Sequence, residues 1–311
     1  MQRDLKTDMD FLYKNPRIEI GNDYLTHDYL NLVRNKIINF SKKNKKFSII
    51  IRRESIKNIE LYSSYVKILE YLNNSGNEVY LSMTITTSGK YLLHPLCSAI
   101  FYKNDHWLYN YNNEFFLKEN KKINKAHISV RRRNEERFMF FKKYNKKFDG
   151  IFRYLDYDLN IKNKSNLQKS ISNTELLDEI KKTYIYFCFE TSTIDYVNSF
   201  TEKSLITFLC QSLPIMFLKN KTHLEELENM GFYLLNREMG YIGIEGTLEN
   251  KVDEFIKCVD RCNKMKIEDV NKIYIKNYSK IMNNYNIISN IYFSNKKLNN
   301  NGCLFLTKKP I

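Results

Sequence analysis

Thr201, Glu202 and Lys203 stand directly before an apolar run of helical spacing, Leu205, Ile206, Phe208 and Leu209. Threonine is a good helix N-cap, so Glu202 and Lys203 fall in a first turn. A helix start offers unpaired N–H groups and the positive end of the helix dipole, which suits a phosphate. Lys203 adds a point charge for that phosphate, and Glu202 can accept hydrogen bonds from ribose hydroxyls. The same three residues also fit an ordinary capped and solvated first turn. Asp156 and Asp158 form an Asp-x-Asp pair after an apolar strand, the hard-oxygen chemistry that holds Mn²⁺ or Mg²⁺. Glu54 follows the apolar run "FSIIIRR" and fits either a solvated post-strand carboxylate or a general base, with His27, His94 and Asp105 as weaker candidates for the base. His94 precedes Pro95 and reads as structural.

The bulk composition limits the classes of function. At 311 residues, 43 % hydrophobic and 14 % aromatic, the chain can bury the cores of two domains and is not of disordered type. Gly and Pro are scarce, 9 and 4, while Asn, Lys, Ile and Tyr abound. That mix reads as the codon bias of an AT-rich genome, viral or from a parasite-like bacterium. It also inflates lysine. The net charge of +15 therefore implies an acidic partner less strongly than it would elsewhere. The compact basic run, Arg131-Arg132-Arg133, is short. Six cysteines occur, with Cys188 and Cys210 in apolar patterns. Cys258 and Cys262 are one helical turn apart without a companion His or Cys pair, so a zinc site is not expected. The chain reads as reduced and cytoplasmic, in the host cell if viral. Its N-terminus is charged, without a signal-peptide core, and no run of 18 apolar residues occurs.

The elements that must position these residues alternate. A helix is expected over 26–41, a buried strand at 48–52, a helix over 61–74 closed by an Asn-Ser-Gly turn, and a strand from 79. Residues 102–122 alternate aromatic and polar side chains, a hairpin pattern, and 119–125 reads as a linker. The alternation then restarts. Strand 126–130 is followed by a helix over 134–148, strand 150–158, loop 161–173 and a helix over 173–182 capped by Asn173 or Thr174. Strand 183–190, the helix behind Lys203, strand 213–218, a helix closed by Gly231, a short strand "FYLL" at 232–235 and largely helical residues 250–285 complete it. Strand–helix–strand succession predicts mostly parallel sheets.

The run from "FCFETS" through "DYVNSFTEK" to "SLPIMF" resembles the nucleotide-sugar-binding half of GT-B glycosyltransferases. The closest pattern is the fucosyltransferase type, "FENS…YVTEK", and the run is also similar to phage and giant-virus glycosyltransferase-like proteins. The likeness covers residues 126 to about 240 and includes "SVRRRNEERFMFFKKYNKKFDG" upstream. It implies an α/β chain of GT-B architecture, two Rossmann-like domains facing a cleft. Residues 1–122 would form an acceptor-side domain, 123–290 the donor-binding domain, and 291–311 a tail returning toward the first. It further implies that Lys203 binds the donor diphosphate and Glu202 the ribose. Arg137 would be the second phosphate-binding cation, with Arg132 and Arg133 as rivals. Glu190 and Thr191 would approach the donor, Tyr196 would stand beside the base, and Thr201 would start the helix. The family's Asn is Thr191 here, the loop before Thr201 is longer, and the motif carrying the family's base is not recognisable in the first half.

The expected activity is transfer of a sugar from a nucleoside-diphosphate-sugar donor to an acceptor hydroxyl, inverting and without metal or other cofactor. The acceptor would be a glycan, a lipid-linked sugar or a protein, and less readily modified DNA. Peripheral contact with an anionic membrane is a further expectation. Two other readings stay open: a GT-A-like, metal-dependent transferase using Asp156 and Asp158, and a non-catalytic, basic nucleic-acid-binding protein.

Overall fold

Helix and strand alternate from the start of the chain. The computed structural model describes residues 4–21, 24–51, 59–82, 85–86, 91–94, 96–101, 107–118, 121–130, 135–144, 146–154, 167–168, 172–189, 198–199, 202–294 and 302–306. In order these form α1 (Leu5–Lys14), β1 (Arg17–Ile20), α2 (His27–Lys43), β2 (Lys46–Ile51), α3 (Ile59–Asn74), β3 (Glu78–Ser82), β4 (Ile85–Thr86), α4 (Leu96–Phe101) and α5 (Asn113–Leu117). There follow β5 (Asn124–Val130), α6 (Glu135–Lys143), β6 (Ile151–Tyr154), β7 (Leu167–Gln168), α7 (Asn173–Lys181), β8 (Thr183–Cys188), β9 (Asn198–Ser199) and α8 (Glu202–Leu209). The last elements are β10 (Leu213–Met216), α9 (Lys221–Asn229), α10 (Leu248–Lys264), α11 (Ile267–Lys276), α12 (Tyr278–Tyr292) and β11 (Leu304–Leu306). They fall into two compact units, both Rossmann-like. The first comprises 1–109, 192–201 and 291–311, and the second 110–191 and 202–290.

The first unit has a parallel sheet in the order β11-β1-β2-β3, and Leu92 bridges to Leu81 beyond β3. One face is aliphatic. Ile18, Ile20, Phe47, Ile49, Ile51, Val79 and Leu81 alternate inward and meet Val33 and Ile37 of α2 and Leu61, Tyr65 and Leu69 of α3. The other face carries Arg17, Glu19 and Ser48, all buried, and is covered by α1 and α4. Phe11 of α1 packs edge-on to Tyr80, and Arg17 lies over Phe101. Strand β1 gives a weak sequence signal because half of "RIEI" is charged. It is nevertheless fully buried, since Arg17 Nε donates to Glu19 Oε1 at 2.8 Å on the same strand face. His94 serves structure here. Its backbone N–H donates to the buried Asp8 carboxylate, and its ring Nδ1 accepts from the Leu96 backbone N–H. Burial pulls its pKa down to about 3, so the ring is neutral.

The second unit carries a five-stranded parallel sheet in the order β10-β8-β5-β6-β7. Numbered within the unit, that is strand order 5-4-1-2-3, the doubly wound arrangement. One face is aromatic: Phe140 of α6 and Phe255 of α10 close on Phe187 and Phe189. The opposite face is hydrogen-bonded and lies against α7 and α8.

Three local expectations are corrected. Residues 107–110 form a 3-10 turn and 113–117 form α5, rather than a hairpin. Asn112 caps α5 by accepting from the Phe115 N–H, and Tyr111 meets Phe115 one turn on at 4.7 Å. Helix α7 is capped by Ser172, not by Asn173 or Thr174, because Ser172 closes a capping box with Glu175. "FYLL" forms no strand. Its neighbour Asn236 uses its side-chain amide in place of a backbone, donating to Met216 O and accepting from Met216 N, both at 2.8 Å.

Candidate functional site

In a doubly wound sheet the crevice lies outside the carboxyl ends of the strands, where the strand order reverses. In the second unit that point lies between β5 and β8. Helix α6 leaves β5 and helix α8 follows β8, so residues at both helix starts belong to this edge. Phe189 and Phe217 are the first residues past β8 and β10. They stack at 5.3 Å, and the Phe217 N–H donates to Cys188 O at 2.8 Å. Phe255 packs edge-on to both. This aromatic support makes the edge rigid.

Arg137 spans the reversal point. It sits in the first turns of α6, only 1 % exposed, and donates through its terminal nitrogen to Phe189 O at 2.6 Å. The guanidinium thus joins the helix after β5 to the end of β8. Its neighbour Glu136 accepts from Lys219, just past β10, at 2.7 Å, and both side chains are almost fully buried. Three strand ends are therefore held by charged groups on adjacent segments. Lys203 lies in the first turn of α8 and is partly exposed, while Ser204, Leu205, Thr207 and Phe208 are buried. The Thr207 hydroxyl donates back to Lys203 O at 2.7 Å.

The sequence reading named Arg137 and Lys203, and both lie on helices that start at this sheet edge. It missed Glu136 and Lys219. The signal was present in Lys219, which follows the strand "LPIMFL" directly, but its partner lies 83 residues earlier, which one-dimensional spacing does not reveal. Glu54, Glu190, Thr191, Tyr196 and Thr201 lie outside the described residues, as do Arg132, Arg133, Asp105, Asp156, Asp158 and the side chain of Glu202. His27 is half exposed and 3.9 Å from Glu60.

The hydrogen-bonded face of the same sheet carries a second charged group. Ser129 pairs with the Tyr186 hydroxyl at 3.0 Å. Below it, Glu179 of α7 accepts from Arg153 Nε at 2.6 Å and lies 3.3 Å from His127 Nε2. Burial opposes ionisation of Glu179, but its hydrogen bonds with His127 and Arg153, with the Arg153 charge, outweigh it and hold the carboxyl at about 2. A carboxylate depressed on folding stabilises the native state above its usual range, and that contribution is lost as pH falls toward the folded value. The second unit is therefore expected to lose stability between the usual carboxylate range and about pH 2. Glu179→Gln should be less stable at neutral pH and show a flatter acid limb in denaturant titrations. An unchanged pH profile would refute that assignment.

Burial raises the Cys210 thiol to about 12, and it likewise raises that of Cys97, so these sulfurs are neutral at physiological pH. No helix among the described residues is long and apolar enough to cross a membrane.

No family model matches the chain. No curated protein matches it in sequence. A solved structure described as an alpha-glucosyltransferase in complex with UDP-glucose and DNA containing an abasic site is similar to it at 12 % identity, covering 89 % of this chain and 78 % of that chain, with a TM-score of 0.38.

Proposed function

We propose that the chain is a glycosyltransferase of GT-B type that takes a nucleoside-diphosphate sugar as donor. One observation carries this reading: the start of α8, with Lys203, stands at the carboxyl edge of a doubly wound sheet whose reversal point is bridged by Arg137. That edge is where such sheets take nucleotides. In this reading the donor diphosphate lies against the first turn of α8. Lys203 and the helix dipole stabilise the charge that develops on the leaving diphosphate as the sugar–oxygen bond breaks. Glu202 would hold the ribose. Arg137, expected as the second phosphate-binding cation, is nearly fully buried on Phe189 O, and in this reading it would fix the end of β8 beneath the donor, with Glu190, Thr191 and Tyr196 on the segment that follows. An acceptor hydroxyl attacks the anomeric carbon and loses its proton to a carboxylate, for which Glu54 is the proposal. No step needs a metal. Thr191, in place of the family's Asn, and the longer loop before Thr201 would set which sugar and base are taken.

Thermal shift against a panel of nucleoside diphosphates and their sugars, with EDTA and separately with Mn²⁺, tests the reading. A donor at about one hundred times its Kd adds about 2.7 kcal/mol. For a unit of this size that is a rise in Tm of about 5–10 °C. Stabilisation by one nucleotide class in EDTA supports a metal-independent donor site. No response to any member of the panel would end the donor-site reading. A response only with Mn²⁺ would favour the Asp156/Asp158 chemistry.

A further inference from the structure

Among the described residues, half of the large apolar side chains left exposed lie at the opposite, amino-terminal edge of the second unit's sheet: Leu117, Ile123, Ile267, Ile275 and Tyr278. Such side chains scattered singly need no explanation. These are gathered. Ile275 is 66 % exposed and Ile123 57 %. Helix α11 is strongly amphipathic, yet among its own residues only Val270 is buried. Ile267 and Ile275 stay exposed on α11, Tyr274 and Asn271 turn toward Tyr184 of β8, and Tyr278, also exposed, opens α12. The segment before β5 adjoins α11. Lys122 turns its ammonium inward to Cys210 O and the Ser212 hydroxyl, and it lies over the Tyr274 ring at 5.6 Å. Tyr274 in turn packs on Tyr278 at 5.8 Å. Lys122 thus ties the segment that carries the exposed Ile123 to the Tyr274–Tyr278 pair.

The border of this edge is basic. Lys118, Lys121 and Lys182 lie exposed on the β5 side, and Lys266 at the N-cap of α11 is exposed too, with Lys272 and Lys276 on that helix. Lys272 is engaged by Asp269, and Glu268 is the other carboxylate of that helix. Nucleic acid would use the lysines but gains little from exposed isoleucines, since its contacts are phosphates and base faces. A lipid surface uses both. Aliphatic side chains enter the acyl boundary, tyrosines sit at the headgroup level, and lysines reach anionic headgroups.

We infer that this edge of the second unit docks on an anionic membrane surface, with Ile123, Ile275 and Tyr278 inserted and the bordering lysines on the headgroups. The inference does not depend on the donor-site reading. Flotation of the full chain with phosphatidylcholine vesicles, with and without about 30 mol % phosphatidylserine, tests it. Binding is expected to the anionic vesicles and not to the neutral ones, falling about tenfold in Ile275→Glu/Tyr278→Glu and again in Lys266→Gln/Lys276→Gln. All four positions are exposed, so Tm should hold, and a Tm check separates lost docking from lost fold. Absence of wild-type binding to anionic vesicles at low salt overturns the proposal. So does equal binding by the Ile275/Tyr278 variant, or a result in which the variants weaken duplex-DNA binding but leave vesicle binding unchanged.

Discussion

Lys203→Ala is expected, if the proposed donor site holds, to reduce sugar transfer by about 10²- to 10³-fold while leaving the fold intact, the usual effect of removing one preorganised charge from a leaving-group site. The side chain is only partly buried, and its backbone is fixed independently by the Thr207 hydroxyl on Lys203 O. The helix therefore starts as before without the ammonium. The diagnostic readout is selective. The nucleoside diphosphate that stabilises the wild type should give a much smaller Tm rise in the variant, whereas the parent nucleoside, which lacks the diphosphate, should give the same response in both proteins. Lys203→Arg should recover part of the loss, because it restores the charge but not its position. Equal shifts for wild type and Lys203→Ala would place the diphosphate elsewhere. That outcome differs from a wild type that responds to nothing, which would remove the donor reading itself.

The legibility of this chain follows from where each element finds its partners. Parallel strands buried on both faces, such as "FSIII" and "YIYFC", announce themselves as apolar runs, and the helices between them show their period. The α/β class was therefore readable. Strand β1 was not, because Arg17 and Glu19 look solvated until they are seen to neutralise each other. The "FYLL" segment failed for a related reason. It gives β10 one backbone hydrogen bond, Leu235 N–H to Pro214 O, and the Asn236 side-chain amide takes the next two, so the strand pattern was present without the strand. Capping chemistry was legible in kind but slipped by one residue at α7, since a Ser-x-x-Glu box outweighs the adjacent Asn and Thr. At the sheet edge, Lys203 was visible because a helix start advertises itself locally. Glu136 and Lys219 were invisible because a buried ion pair between distant segments leaves no periodic trace.

That ion pair supports the largest expected effect on stability. Glu136→Ala leaves the Lys219 ammonium buried without its carboxylate, and is expected to cost about 3–5 kcal/mol. The side chains are 6 % and 7 % exposed, so water cannot readily replace the lost partner. The cost should come from the poorer compensation of a buried charge rather than from the loss of a favourable bond. Replacing both residues with apolar ones, Glu136→Leu with Lys219→Met, should therefore return most of the stability, since desolvating the two ions roughly cancels their attraction. Urea unfolding of Glu136→Leu, Lys219→Met and the double variant checks this as a thermodynamic cycle. If the double variant is as unstable as Glu136→Ala, the pair contributes net stability and the argument from desolvation fails. The reason to keep a pair that stability alone does not require is geometric. Glu136 precedes Arg137, so the bond to Lys219 fixes the first turn of α6 against the end of β10 while Arg137 grips the end of β8. The double variant is then expected to be folded and stable, yet to show a weakened nucleotide response, because Arg137 would hold Phe189 O from a less constrained helix start. A double variant with wild-type stability and a wild-type nucleotide response would show that the pair has no part in ordering this edge.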